Sequence, residues 1–180
     1  MYQSKTTFPA GIILVFIVAV ILANFIDPPR AGEKEYISDL RNAIENYTEE
    51  STNDTLFINQ WATWCSACMR EKPVLANIAD STIESGSEHV QFFSATRENN
   101  DEVDMNCRES SRSSHFQCLY NPNQLITSLN ALSDQGGSIP LNILIIEDSV
   151  AYKGGFTNEN RKKKLLDALV HQSSSIPQTP

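Results

Sequence analysis

Two cysteines at the junction between an apolar segment and a helical one constrain this chain more than any other feature of its sequence. Residues 55–61 (TLFINQW) are mostly apolar and predict a buried strand. Cys65 and Cys68 follow in a stretch that predicts a helix running toward Ala79, with a bend at Pro73. Cys65 then lies at the N-terminus of this helix, where free N–H groups and the helix dipole stabilise a thiolate.

A cysteine pair in this position favours disulfide exchange over three other interpretations. The thiolate is the attacking species, and Cys68 is close enough to resolve a mixed disulfide at Cys65. A zinc site would need two more ligands at short spacing, but ten residues separate Cys107 from Cys118. Haem attachment would need a histidine where Met69 stands. A purely structural bridge across one helical turn closes too short a loop to stabilise the fold much.

The remaining sequence predicts an α/β fold in which helices cover a sheet. Apolar residues at three- and four-residue steps predict a first helix after residue 35, with Ser38 as a candidate N-cap. Residues 97–121 are polar and predict an irregular insertion. The other predicted elements are strands at 90–95, 141–147 and 150–153 and helices at 125–132 and 159–171.

The stretch NQWATWCSACMREKP (residues 59–73) resembles the membrane-anchored TlpA/ResA/DsbE branch of the thioredoxin superfamily. The hallmark of that branch is similar to N-F-W-A-T-W-C-x-x-C-x-x-E-x-P, and this sequence departs from it at Gln60, where the family has an aromatic residue. The resemblance implies a thioredoxin fold with a central mixed β-sheet flanked by helices. It also implies an extracytoplasmic location and dithiol–disulfide exchange with protein substrates, without a cofactor.

The resemblance also assigns roles to individual residues. Cys65 matches the attacking cysteine, Cys68 the resolving cysteine, and Glu71 the acidic residue close to the dithiol. Pro140, before the run LNILIIEDSVAYKGGF, matches the cis-proline that faces the active site. The backbone of Ile139 is then expected to offer hydrogen bonds to a substrate strand.

The two tryptophans of the motif have different expected roles. Trp64 stands directly before the first cysteine and is expected to cover the sulfurs and contact substrate. Trp61 ends the apolar run and is expected to pack in the core.

Glu71 also has a case that rests on its position. It lies three residues after Cys68, so the two side chains share a face of the helix. A carboxylate there can move protons while the mixed disulfide is resolved. Cytoplasmic thioredoxins resemble this stretch but have a buried aspartate where this chain has Asn59, which cannot take a proton. The alternative is that Glu71 is an ordinary surface glutamate.

Cys107 and Cys118 lie in the polar insertion, and the resemblance says nothing about their role. An even number of cysteines in an exported domain favours a second, structural disulfide between them. The alternative is a second redox centre that relays electrons to the first pair. No metal site is expected, since His115 beside one cysteine pair supplies too few ligands.

The N-terminal segment is predicted to lie outside the folded domain. Residues 8–26 (FPAGIILVFIVAVILANFI) carry no charge and would span about 28 Å as a helix, close to the thickness of the hydrocarbon core. Lys5 precedes this segment, which favours a cytoplasmic N-terminus. We expect a single-pass anchor (residues 1–26) in the inner membrane, with the domain on the periplasmic side. A cleaved signal peptide is the alternative.

Four segments are therefore expected. After the anchor come a linker (27–35), a thioredoxin-like domain (36–172) with its insertion at 97–121, and a disordered tail (173–180). The net charge of −8 disfavours nucleic acid as a partner. The expected function is that of a reductase supplied by a membrane electron donor. An oxidant or isomerase, a non-catalytic binding module and a metallochaperone are the alternatives.

Overall fold

The computed structural model describes residues 32–99, 101, 103, 107, 115–133, 136–156 and 159–173. The predicted anchor and nearly all of the predicted tail lie outside these residues. Within the described ranges, no helix combines the length and the apolar character needed to cross a membrane.

A five-stranded mixed sheet forms the centre of the domain. Its strands lie in the order β3-β2-β1-β4-β5. The strand β1 pairs in parallel with β2, and β2 pairs in parallel with β3, while β4 and β5 are antiparallel to their neighbours. The strands are β1 Thr55–Gln60, β2 Val90–Thr96, β3 Phe116–Tyr120, β4 Leu141–Ile146 and β5 Ser149–Gly154.

Helices cover both faces of the sheet, as predicted. Successive side chains of a strand point to opposite faces of the sheet. Because both faces are covered, every residue of β1 is buried. Ile58 packs with residues of the first and third helices, and Phe57 packs with residues of the second and fourth. The helices are α1 Glu33–Thr48, α2 Ser66–Glu84, α3 Asn123–Leu132 and α4 Glu159–Ser173.

The domain begins earlier than the sequence predicted. Helix α1 starts at Glu33, so the predicted linker boundary at residue 35 and the Ser38 cap are wrong. Gly32 occupies the N-cap position with φ 91°, a left-handed conformation that suits glycine because it has no Cβ. Glu33 and Glu35 lie in the first turn, where their negative charges interact favourably with the positive end of the helix dipole.

The predicted irregular insertion contains a strand of the sheet. Residues 116–120 form β3, which pairs with β2 at the sheet edge, so the prediction of an insertion reaching residue 121 is wrong. Only Leu119 of this strand is fully buried, which is why its composition resembles that of a loop. The backbone N–H of Tyr120 donates to Tyr47 Oη at 3.0 Å, and this bond ties β3 to α1.

A disulfide joins β3 to the segment before it. Cys107 is 1% exposed and is bonded to Cys118 in β3. Both residues belong to an apolar cluster that also contains Cys65 and Cys68. The second disulfide therefore packs against the same part of the core as the first.

We predict that the double variant Cys107→Ala/Cys118→Ala loses about 3 kcal/mol of unfolding free energy, because the bridge closes a loop of about twelve residues. It should retain disulfide exchange at Cys65. Denaturant unfolding of the oxidised protein measures the first quantity, and insulin reduction measures the second. Unchanged stability together with lost exchange would instead identify the pair as a second redox centre.

Candidate active site

The first cysteine of the motif caps helix α2. Cys65 has extended backbone angles (φ −85°, ψ 92°), and its Sγ accepts a hydrogen bond of 3.1 Å from the backbone N–H of Cys68. The two residues are joined by a disulfide. When this bond is reduced, the same N–H points at the sulfur of Cys65 and stabilises its thiolate.

The disulfide lies in a largely apolar environment. Cys65 is 7% exposed and Cys68 is 1% exposed, so Cys65 is the more accessible of the two residues. Trp61 is buried in the same cluster, whereas Trp64 is 75% exposed. The sequence therefore assigned Trp61 correctly to the core. The exposed indole of Trp64 is available to a substrate.

Glu71 is a buried residue of helix α2, so the alternative of a surface glutamate is wrong. Its Oε2 accepts a hydrogen bond of 3.0 Å from Asn142 Nδ2, and its Oε1 accepts one of 2.6 Å from the backbone N–H of Phe156. Burial raises the pKa of Glu71, although these two hydrogen bonds and the nearby Arg70 act in the opposite direction.

Asn142 links Glu71 to Asn59, the residue that stands where cytoplasmic thioredoxins have a buried aspartate. Its Oδ1 accepts a hydrogen bond of 2.7 Å from Asn59 Nδ2, so a buried polar chain runs from Asn59 through Asn142 to Glu71. Sequence reasoning missed Asn142. The indication available was its place as a polar residue inside an apolar strand, since an unpaired amide there would be costly.

The loop before β4 approaches the same carboxylate. The peptide bond between Ile139 and Pro140 is cis. Gly155 lies between this loop and Glu71: a Cβ at Gly155 would stand 3.2 Å from Glu71 Oε1 and 3.2 Å from the carbonyl oxygen of Pro140. With a side chain at this position, these groups would have to move by a few tenths of an ångström, so the close approach favours glycine.

A groove of about 360 Å³ lies beside the segment that leads from β1 to Cys65. The two predicted substrate contacts, Trp64 and Ile139, both line it. Gln60, which replaces the family's aromatic residue, also lines the groove, and its buried Oε1 has no hydrogen-bond partner in the described part of the chain. The groove thus combines apolar and polar walls.

Lys72 is a second buried charged residue of α2 that sequence reasoning missed. Its Nζ lies 3.0 Å from the centroid of the Trp61 ring. Burial lowers the pKa of Lys72 to about 7, against an attraction to Glu98 that raises it. Its spacing of four residues from Cys68 was the indication available, because residues so spaced share a helix face.

The described residues contain no group of three or more His, Cys, Asp or Glu side chains placed to hold a metal ion.

Sequence comparisons find no relative of this chain, since no protein-family model and no curated protein matches it. Solved structures do resemble it. A candidate protein disulfide isomerase from Bacteroides thetaiotaomicron gives a TM-score of 0.51 at 14% identity, covering 65% of this chain and 72% of that one. A thiol:disulfide interchange protein from Chlorobium tepidum gives 0.49 at 19% identity, with 64% and 79% covered.

The thioredoxin domain of a thiol-disulfide oxidoreductase from Bacteroides vulgatus gives a TM-score of 0.49 at 13% identity, with 64% and 79% covered. The strand order and the likeness to the Bacteroides thetaiotaomicron protein show that this chain has the thioredoxin fold. At such identities the likeness shows the fold alone. Membership of the TlpA/ResA/DsbE branch stays a prediction from the motif.

We predict that Glu71→Gln slows disulfide exchange by about a hundredfold, because the amide keeps the shape of the side chain but cannot carry a proton. The pH dependence should also change. Burial raises the pKa of Glu71 in the folded state, so the wild type is stabilised relative to the variant at low pH. This advantage is lost as the pH rises through the folded-state pKa.

Exchange rates and denaturant unfolding across the acidic to neutral range measure both effects. Glu84→Gln is the matched control, since Glu84 is an exposed glutamate of the same helix. Equal rates and parallel stability curves for the wild type and Glu71→Gln would leave Glu71 without a role in exchange.

Proposed function

We propose that this chain is an extracytoplasmic thiol–disulfide oxidoreductase that reduces protein disulfides with the Cys65–Cys68 dithiol. The observation that carries the proposal is the position of Cys65 at the N-terminus of α2, where its sulfur accepts the Cys68 N–H. A purely structural bridge does not need this position, whereas a nucleophilic thiolate does.

Reduction begins with attack of the Cys65 thiolate on a substrate disulfide. The substrate S–S bond breaks, a mixed disulfide to Cys65 forms, and the departing substrate sulfur takes up a proton. Cys65 is suited to this step because it is the less buried of the two cysteines and directly follows Trp64, which lines the groove together with Ile139.

Resolution of the mixed disulfide requires Cys68 to lose its proton. Cys68 then attacks the Cys65 sulfur, the second substrate thiol leaves as a thiolate and is protonated, and the Cys65–Cys68 disulfide forms. Two electrons have passed from the dithiol to the substrate. Glu71 lies one helical turn away, and burial raises the pKa of its carboxyl group, which makes the carboxylate a stronger base toward the Cys68 proton.

The reducing direction and the membrane tether rest on the motif and on the apolar segment at residues 8–26. In this proposal a membrane electron donor returns the oxidised pair to the dithiol after each cycle. An oxidant would use the same site to accept electrons from substrate thiols, and an isomerase would rearrange disulfides without net electron transfer. The reduction potential of the Cys65–Cys68 pair distinguishes these functions.

We predict that Cys68→Ser accumulates a covalent adduct on Cys65 when it is mixed with a disulfide-containing protein, because the resolving thiol is absent. Insulin serves as the test substrate, and mass spectrometry identifies the linked cysteine. Cys65→Ser is the matched control and should form no adduct. An adduct on Cys68 of the control variant, with none on Cys65 of the first, would reverse the assigned roles.

The tether gives a separate prediction. A reporter that is active only outside the cytoplasm, fused after Pro180, should be active, and the mature protein should retain residues 1–26 in the membrane fraction. N-terminal mass analysis measures the second point. Recovery of a soluble form that starts near Asn24 would show a cleaved signal peptide instead of an anchor.

A further inference from the structure

Lys72 is a buried lysine one helical turn after the resolving cysteine. Only 5% of its surface is exposed, although lysine side chains are almost never buried to this degree without a partner. Its ammonium lies over the face of Trp61, which is itself 1% exposed. Trp61 belongs to the apolar cluster that contains Cys65 and Cys68, so the charge lies next to the packing around the disulfide.

The space beside Lys72 is small. A cavity of about 20 Å³, enough for one water molecule, is lined by Lys72 together with Asn59, Ser94 and Cys107 and by three apolar residues, Leu75, Ala76 and Phe116. Apart from Lys72, its lining thus contains no charged side chain. The field of an ammonium group is screened less in such an environment than in water.

One acidic group acts on Lys72 from a neighbouring segment. Glu98 follows β2 and attracts the ammonium. Its carboxylate also accepts hydrogen bonds of 2.6 Å from the backbone N–H of Thr63 and 2.8 Å from Thr63 Oγ1, two residues before Cys65. Glu98 and the Trp61 ring are thus two of the groups that bear on the charge of Lys72.

Stability does not account for a lysine at this place. Removing an ammonium from water costs several kcal/mol, and apolar residues of similar volume often replace buried charges without loss of stability. A methionine would fill the same space beside Trp61. The charge therefore contributes something that packing does not, and reduction of the Cys65–Cys68 bridge creates a thiolate in the apolar cluster that contains Trp61.

Resting on the proposed function, we propose that Lys72 is a positioning residue of the dithiol: its ammonium stabilises the thiolate that forms on reduction of Cys65–Cys68 and so raises the reduction potential of the pair. Helix geometry places the β-carbons of Cys68 and Lys72 about 5–6 Å apart. By linkage, the thiolate must in turn stabilise the ammonium, so reduction raises the pKa of Lys72.

The test compares Lys72→Met with the wild type as full-length chains, both equilibrated with glutathione buffers. We expect the equilibrium constant to move about tenfold toward the disulfide form, a change of about 30 mV toward more negative potential. The pH at which Cys65 becomes reactive to alkylation should rise. Unfolding free energy should be equal to or above that of the wild type.

Arg70→Met is the matched control, because Arg70 is an exposed cation on the same helix and closer in sequence to Cys68. Solvent and salt screen its charge, so we expect its equilibrium constant to change less than about threefold. An equal shift in both variants, or an unchanged potential in Lys72→Met, would overturn the proposal.

A second measurement needs no variant. NMR titration of the Lys72 side chain in the wild type should give a higher pKa in the reduced protein than in the oxidised one, and equal values would overturn the proposal. These results are separable from those for the proposed function. If the wild-type Cys65–Cys68 pair does not equilibrate with glutathione, both proposals fail. If it does equilibrate but Lys72→Met leaves the equilibrium constant unchanged, only the proposal for Lys72 fails.

Discussion

The antiparallel pairing of β1 with β4 is the constraint on which the rest of the site depends. In this register Asn59 lies opposite Asn142, and Gln60 lies opposite Leu141. The loop that contains Pro140 therefore ends beside the segment that leads from β1 to Cys65. A slip of one residue would turn Asn142 to the other face of the sheet and leave Glu71 without its amide partner.

Burial then determines the acid–base character of helix α2. Glu71 and Lys72 are the two charged side chains among the buried residues of the described part. Successive helix residues point about 100° apart, so Glu71 reaches Asn142 while Lys72 reaches Trp61. The same physical cause moves both pKa values toward neutrality, raising that of the acid and lowering that of the base.

How much the sequence predicts depends on how local the determining interactions are. The position of Cys65 at a helix N-terminus follows from a few neighbouring residues, and the structure confirms that position. Strand β3 was missed because Phe116 and its neighbours become a strand only by pairing with β2. Asn142 and Lys72 were missed because their environments are made by residues that are distant in the sequence.

The buried polar groups also explain why this end of the domain differs from the rest of its core. The cluster around Phe57 is apolar and is stabilised by area burial and by contacts between the rings of Phe57, Phe92 and Phe116. One pleat further along β1, Asn59 starts the polar chain that leads to Glu71, and Lys72 lies on the same side of the sheet. Each of these groups requires a partner fixed by a different element, so their geometry is lost if any of those elements shifts. The stability of the apolar cluster is therefore what permits several costly polar groups to be held next to one disulfide.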